Sequence, residues 1–208
     1  MSLFSAENKK IFWENIWKEN PIFRQILGIC SCLAVTNLVF NTFIMCVGLI
    51  VVTVATNVFV SLIKDYIPGR IRMITQVLII TVFVTIVDLL LQAFSYEVSK
   101  QLGAYVGLIA TNCIVMGRAE VFAMKNRPWP SFLDGLGAGI GYSIILLTIA
   151  IPREILGFGT VCHYPVITSE GWVAWNIMIM PPGAFLMLGS LIWIVNSMGK
   201  KVAHEEKK

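Results

Sequence analysis

Residues 25–37 read QILGICSCLAVTN and place Cys30 and Cys32, followed by Thr36 and Asn37, in the middle of an apolar run. Cysteine is a small, soft hydrophobic residue that packs well in many environments, so ordinary packing is one interpretation. The other interpretation is that a thiolate is needed at this position to bind a metal ion. The choice between them depends on the segments on either side.

The composition of the chain is that of an integral membrane protein. Hydrophobic residues make up 57% of its 208 residues and charged residues only 13%, whereas soluble domains carry roughly 45–50% apolar and about 25% charged residues. Backbone polar groups must be satisfied internally in a bilayer, so apolar stretches of spanning length are predicted to be helices. The sequence therefore predicts an all-α membrane protein, a single domain over residues 1–208 with six transmembrane helices at about 22–40, 42–63, 73–94, 102–122, 133–155 and 175–198, the first two separated at Asn41.

The basic residues predict the orientation. If the six stretches span the membrane, 14 of the 16 Lys and Arg residues fall on one side, and only Lys100 and Arg153 fall on the other. By the positive-inside rule both termini are cytoplasmic, with tails at 1–20 and 199–208. The first tail has no apolar core of a signal peptide. The net charge of +4 reflects topology, and because the sequence shows no clustered basic face, a nucleic-acid partner is not expected.

Two cysteines are predicted to lie at similar depth. Cys30 is about 13 Å from the cytoplasmic edge and Cys113, in LIATNCIVMGRAE, is about 18 Å from the outer edge, at 1.5 Å of rise per residue. One opens the first three-helix half, at about 20–95, and the other opens the second half, at about 100–198. Three helices per half give the halves opposite orientation, and inverted repeats place their sites near the midplane between broken helices. We therefore expect broken or half helices around Cys30 and Cys113.

The cysteines are too few for an iron–sulfur cluster of their own. A 2Fe-2S cluster is normally held by four thiolates, and only Cys30 and Cys113 are at the right depth. Cys32 lies about 200° from Cys30 around a regular helix, and Cys46 is explained by simple packing. A cluster here would need a second protein chain to complete it, and structural cysteines remain the alternative.

Five motifs carry a resemblance to a known family: ILGICS with LAVT, VSKQL with VGLI, TNCIVMGRAE, DGLGAGIGY and REILGFGT. From about residue 20 to 198 the chain resembles the family of membrane proteins that contains the D-type subunit of sodium-translocating NADH:quinone oxidoreductases (Nqr) and the E-type subunit of the Rnf electron-transport complex. The resemblance implies two inverted halves and a homologous partner of opposite orientation, the E-type subunit of Nqr, that shares an intramembrane 2Fe-2S cluster. It implies Cys30 and Cys113 as this chain's iron ligands. Cys32 departs from the usual motif and is an alternative to Cys30.

The resemblance also implies a function. The chain would be a membrane subunit of a six-subunit, ion-pumping NADH:quinone oxidoreductase in the bacterial inner membrane, passing electrons across the membrane with coupled Na+ translocation. NADH, flavins and quinone would bind to other subunits, and this chain would contribute no catalytic residue. The alternatives are a subunit of an Rnf-type ferredoxin:NAD oxidoreductase and a small inverted-repeat transporter with structural cysteines.

Charged residues within or beside the apolar stretches are further candidates. Asp88 in VTIVDLLLQAF is interpreted as the only acid well inside a span, and intramembrane carboxylates usually face a polar interior or a partner. It either makes a structural hydrogen bond or belongs to a cation path. The neighbours Arg118 and Glu120 are interpreted either as structural anchors that pair or reach the interface, or as support for a neighbouring redox subunit. Arg153 with its neighbour Glu154 raises the same choice on the outer side.

The glycine-rich segment DGLGAGIGYS, residues 134–143, is not a dinucleotide fingerprint, because no strand or βαβ unit accompanies it. The spacing of Gly135 and Gly139, and of Gly137 and Gly141, predicts close helix packing instead. The sequence shows no zinc-protease motif and no other hydrolytic constellation.

Overall fold

The computed structural model describes residues 27–94, 103, 106–161, 164–165 and 176–205. The predicted cytoplasmic tail at 1–20 and the beginning of the first apolar stretch lie outside these residues. The described part is almost entirely helical, which confirms the all-α prediction apart from one small hairpin. Its helices are α1 (Ile29–Val35), α2 (Val39–Ile63), α3 (Arg72–Phe94), α4 (106–110), α5 (Cys113–Arg118), α6 (Pro128–Phe158), α7 (Asn176–Ile179) and α8 (Pro181–Glu205). A 3₁₀ turn at Lys64–Tyr66, a π-helix at Ala119–Ala123 and the antiparallel strands β1 (Thr160–Val161) and β2 (Tyr164–Pro165) complete the described elements.

Four helical segments of the described part are long and apolar enough to cross a membrane: Val39–Tyr66, Arg72–Ala93, Val106–Ala123 and Pro128–Phe158. The last apolar stretch contains a shorter apolar helix at Pro181–Ser197. Of the first stretch, the structure describes only the seven residues of α1 as helical. Four of the six predicted spans are therefore present as helices of spanning length.

The boundary between the first two apolar stretches was predicted wrongly. It does not lie at Asn41, which is inside α2, but at residues 36–38, where α1 has ended and Leu38 is extended with φ −128° and ψ 128°. The first N–H group of α2, on Val39, donates to Glu154 Oε2 at 2.6 Å. Because that partner lies 115 residues away in the sequence, the local pattern gave no sign of it.

Helix α6 is the structural centre of the described part and makes its most extensive packing against α2. It begins at Pro128, five residues earlier than predicted, because proline is well suited to the first position of a helix. A Cβ atom on Gly135 would lie 3.2 Å from Val54 Cα, and one on Gly139 would lie 3.4 Å from Ile50 Cα. The predicted close packing of the glycine segment is therefore confirmed for these two positions.

The main apolar core lies between α1, α2, α5 and α6. Its fully buried side chains include Cys32, Leu49, Ile114, Tyr142 and Leu146. Helices α3 and α8, by contrast, expose many large apolar side chains, as expected for surfaces in contact with lipid. The helix break at residues 36–38 therefore lies beside a well-packed core.

Candidate functional site: a pair of cysteines at two helix N-termini

The helix that was predicted to span residues 102–122 is broken immediately before Cys113. Helix α4 ends at residue 110, Asn112 is extended with ψ 119°, and Cys113 is the first residue of α5. The Oδ1 atom of Asn112 accepts a hydrogen bond from the N–H of Ile114 at 3.1 Å, a standard N-cap interaction. The predicted break at Cys113 is thus present, and the sequence explains its position because asparagine is a preferred N-cap residue.

Cys30 also lies in the first turn of a helix. Gly28 precedes α1 in the left-handed conformation, with φ 85° and ψ 16°, which residues other than glycine rarely adopt. A Cβ atom at this position would lie 2.7 Å from both Ile114 Cδ1 and Tyr142 Cε2. Conformation and space together therefore require glycine two residues before Cys30.

The beginnings of α1 and α5 bring Cys30 and Cys113 together. The N–H of Gly28 donates to Cys113 Sγ at 2.8 Å, and the thiols of Cys30 and Cys113 are neighbours. Cys30 is exposed and Cys113 is half-buried. The cysteine pair, defined as Cys30 and Cys113, thus consists of one exposed and one half-buried residue.

The other described cysteines point elsewhere. Cys32 is fully buried in the apolar core, and Cys46 is buried with its thiol beside the side chain of Ser143. These environments are those of packing residues. Cys162 lies outside the described residues.

The donor set fits half of an iron–sulfur site. Two adjacent thiols and a backbone N–H directed at one sulfur are features of protein-bound 2Fe-2S clusters. Within residues 27–94, 106–161 and 176–205, however, no group of three or more His, Cys, Asp or Glu side chains could hold a metal ion. The described part of the chain therefore brings together two candidate thiol ligands and no third ligand.

A buried polar network lies directly behind the cysteine pair, and the sequence reasoning missed it. The carbonyl of Gly28 accepts from Tyr142 Oη at 3.0 Å and from Ser31 Oγ at 3.1 Å, and the two hydroxyl groups are also hydrogen-bonded to each other. Asn112 Nδ2 donates to Ser31 Oγ at 3.1 Å. The one available signal was that Ser31 and Asn112 each adjoin a candidate cysteine.

Arg153 and Glu154 are both buried and hold the end of α1 and the beginning of α2. Arg153 donates to Thr36 Oγ1 and, at 2.9 to 3.3 Å, to the backbone carbonyls of residues 178–180. Glu154 accepts from the N–H of Val39, as described above. Both residues therefore act as structural anchors, which is one of the predicted alternatives, because the helix break supplies backbone groups that need partners inside the protein.

Arg118 does not pair with Glu120 and does not reach the interface. Its side chain is 3% exposed and forms a salt bridge with Asp134, which is 0% exposed. Glu120 instead pairs with Arg72 at 2.8 Å and accepts from Gln76 Nε2 at 2.6 Å. Asp134 is thus a fully buried acid on a helix long enough to span a membrane.

Asp88 is half-buried on α3 and is not joined to the cysteine pair by a described hydrogen bond. Its Oδ2 atom accepts from Gln92 Nε2 at 2.8 Å, one turn later on the same helix. The other oxygen, Oδ1, is enclosed and has no hydrogen-bond partner in the described part of the chain. The predicted structural hydrogen bond is therefore present, while a cation path stays a prediction.

Comparison with known proteins agrees with the sequence resemblance. The chain is 46% identical over 200 residues to the D-type subunit of the Na(+)-translocating NADH-quinone reductase of Aeromonas salmonicida, covering 94% of this chain and 95% of that protein. The D-type proteins of the same reductase from Tolumonas auensis and Pseudoalteromonas atlantica are each 47% identical, over 92% and 93% of this chain and 91% and 94% of theirs. Residues 8–192 match the family described as "Rnf-Nqr subunit, membrane protein". The chain therefore belongs to the Rnf-Nqr family of membrane protein subunits.

Proposed function

We propose that this chain is a membrane subunit of a Na+-translocating NADH-quinone reductase and that Cys30 and Cys113 bind the iron of a 2Fe-2S cluster. The observation that carries the proposal is the cysteine pair itself. Two thiols 83 residues apart in the sequence meet in the first turns of two helices, one exposed and the other half-buried. Packing alone does not require such a pair to converge, whereas a shared metal centre does.

The surroundings of the pair support this role. Hydrogen bonds from neighbouring groups normally orient metal ligands, and here the N–H of Gly28 is directed at Cys113 Sγ. When bound, a 2Fe-2S cluster supplies one-electron transfer. This chain holds two thiolates at fixed positions, and the packed core behind them keeps water away from that side.

The remaining two ligands come, in this proposal, from a homologous membrane protein of inverted orientation, the E-type subunit. The exposure of Cys30 supports an external source, because a completed site would cover both sulfurs. The two halves of this chain, about 20–95 and 100–198, are then inverted repeats, each with a broken helix at its cysteine. Both termini lie in the cytoplasm, and the other members of a six-subunit complex in the bacterial inner membrane bind NADH, flavins and quinone.

The coupling to Na+ involves the position of Asp88 in this proposal. Its Oδ1 atom is enclosed and lacks a described hydrogen-bond partner, and such a carboxylate oxygen is suited to a hard cation. Substitution of Asp88 by Asn in the complete complex should weaken the Na+ dependence of quinone reduction. Unchanged Na+ dependence would remove Asp88 from the cation path without affecting the assignment of the cysteines.

The iron assignment is tested with four single variants of the purified complex. Cys30→Ala and Cys113→Ala should each abolish the electron paramagnetic resonance signal of the 2Fe-2S cluster and lower the iron content. Cys32→Ala and Cys46→Ala are matched controls, because both remove a buried thiol, and they should keep the signal. A signal that survives Cys30→Ala but disappears in Cys32→Ala would transfer the ligand role to Cys32.

Two alternative functions remain distinguishable. A membrane protein of an Rnf-type ferredoxin:NAD oxidoreductase would show the same dependence on Cys30 and Cys113 but would accept electrons from ferredoxin. A small inverted-repeat transporter with structural cysteines would contain no iron at all. Iron content and electron donor together separate the three possibilities.

A further inference from the structure

Gly28 connects the cysteine pair to the polar network behind it. Its N–H donates to Cys113 Sγ at 2.8 Å, and its carbonyl accepts from Tyr142 Oη and Ser31 Oγ at 3.0 and 3.1 Å. Because φ and ψ of one residue fix the relation between its N–H and its C=O, whatever holds the carbonyl of Gly28 also directs its N–H. The hydroxyl groups therefore act on the Cys113 sulfur through a single residue.

The hydroxyl groups of Tyr142 and Ser31 have two protons for three hydrogen-bonding contacts. One contact joins the two hydroxyl groups, and each hydroxyl group also contacts the carbonyl of Gly28. If Tyr142 donates to the carbonyl of Gly28, Ser31 donates to Tyr142, and if Ser31 donates to the carbonyl, Tyr142 donates to Ser31. In both arrangements one proton reaches the carbonyl. Removal of either hydroxyl leaves the other in place as a donor, and only the loss of both leaves the carbonyl without a hydroxyl donor.

The same network also extends to the helix break before Cys113. Asn112 donates to Ser31 Oγ through its Nδ2 atom at 3.1 Å and caps α5 through its Oδ1 atom. Tyr142 is fully buried, so no exposed solvent competes for these contacts. Both cysteine-bearing helix ends are thus fixed to one side chain of α6.

We propose that Tyr142 and Ser31 are positioning residues for the cysteine pair, with hydroxyl groups that together hold Gly28 so that its N–H stays on Cys113 Sγ. This inference rests on the proposed binding of a 2Fe-2S cluster by Cys30 and Cys113. Hydrogen bonds to cluster sulfurs help to set the reduction potential. An N–H donor favours the more negatively charged, reduced form, so loss of this hydrogen bond lowers the potential.

The test uses the complete purified complex with Tyr142→Phe, Ser31→Ala and the double variant. The readouts are iron content and the midpoint potential of the 2Fe-2S signal, measured by redox titration with electron paramagnetic resonance detection. Each single variant should shift the potential little. In the double variant the ratio of reduced to oxidised cluster, at the wild-type midpoint, should fall about tenfold, which is about 59 mV for a one-electron couple. Ser143→Ala is the matched control, since its hydroxyl donates to Gly139 O in its own helix at 2.8 Å.

The outcomes separate this inference from the function on which it rests. A shift in the double variant that exceeds the sum of the single shifts supports the inference, and so does loss of the cluster in the double variant alone. A double variant with wild-type iron content and potential overturns it, as does failure of all three variants to assemble, which would make the hydroxyls purely structural. Survival of the signal in Cys30→Ala and Cys113→Ala would instead overturn the proposed function.

Discussion

The buried ion pair between Arg118 and Asp134 gives the sharpest test of how the fold is stabilised. Both side chains are almost completely enclosed, at 3% and 0% exposure, and the guanidinium also lies 5.9 Å from the centre of the Phe122 ring. Substitution of Asp134 by Ala leaves the guanidinium buried without its carboxylate. Breaking such a pair costs about 3–5 kcal/mol of the free energy of unfolding.

The double variant Arg118→Met/Asp134→Leu should be far less destabilised. Replacing both members of a buried pair by apolar residues is often neutral, because it removes the desolvation cost together with the attraction. We therefore expect the double variant to lie within about 1 kcal/mol of the wild type. The coupling between the two positions should exceed about 2 kcal/mol.

The assay follows this chain within the complete complex. As denaturant rises, unfolding exposes the buried thiol of Cys46 to a maleimide reagent, and mass spectrometry of the corresponding peptide gives the unfolded fraction. The matched control is the pair of Arg72 and Glu120, which carries the same kinds of charge at 43% and 38% exposure. Breaking this pair should cost only about 0–1 kcal/mol. If Asp134→Ala and Arg72→Ala proved equally mild, or if the double variant lost as much stability as the single variants Arg118→Met and Asp134→Leu together, the reasoning would be refuted.

Three further substitutions test the helix breaks and the packing of α6. Gly28→Ala should lower the free energy of unfolding by about 1–2 kcal/mol for the left-handed backbone alone. It should also displace the N–H of residue 28 from Cys113 Sγ and so lower the iron content of the purified complex. Unchanged iron content would contradict this geometry. Glu154→Leu should lower the stability of the chain by about 1–3 kcal/mol because the N–H of Val39 loses its acceptor. Glu154→Gln, which keeps an acceptor oxygen, should cost less, and equal losses by the Cys46 labelling assay would argue against the cap. Gly139→Leu should lower the yield of assembled complex on size-exclusion chromatography through contact with α2 at about 3 Å, and a normal yield would show that α2 moves aside at little cost.

Patterns within one segment predicted much of the fold. The apolar stretch predicted the start of α3 to within one residue, at position 73, whereas the helix begins at Arg72. The break before Cys113 could also be predicted from the sequence, because Asn112 is a good N-cap residue at the point where a spanning helix contains polar groups. The glycine spacing of α6 predicted its close approach to α2.

Partnerships between distant residues could not be read from the sequence. Asn41 looked like a turn, but polar residues occur inside helices, and the actual break is fixed by Glu154, a residue of another helix. Arg118 has an acid two residues away in the sequence, yet its carboxylate partner is Asp134. A helix turn separates neighbours in the sequence by 100° per residue, so only the packed structure decides which charges meet.

Only part of the candidate site could be predicted, because its remaining contacts also join residues that are distant in the sequence. The resemblance and the depth estimates indicated Cys30 and Cys113, and the structure places their thiols side by side. Tyr142 escaped notice because it follows a glycine segment that was interpreted only as a packing surface. Nothing in the local sequence connects it with Gly28, 114 residues away.

The contacts of α6 also bear on the biosynthesis of the protein. Gly28, Thr36 and Val39 all take hydrogen-bond partners from α6, at sequence separations of 114, 117 and 115 residues. While the ribosome is still translating the first half, these groups lack the partners that α6 supplies, and only Gly28 and Thr36 have local ones, in Ser31 and Cys32. The region around α1 therefore cannot complete its native hydrogen bonds before α6 enters the membrane. Helix α1 is thus among the last of the described helices to reach its final form, and premature termination before α6 leaves a product whose incompletely bonded chain breaks invite recognition by quality-control proteases.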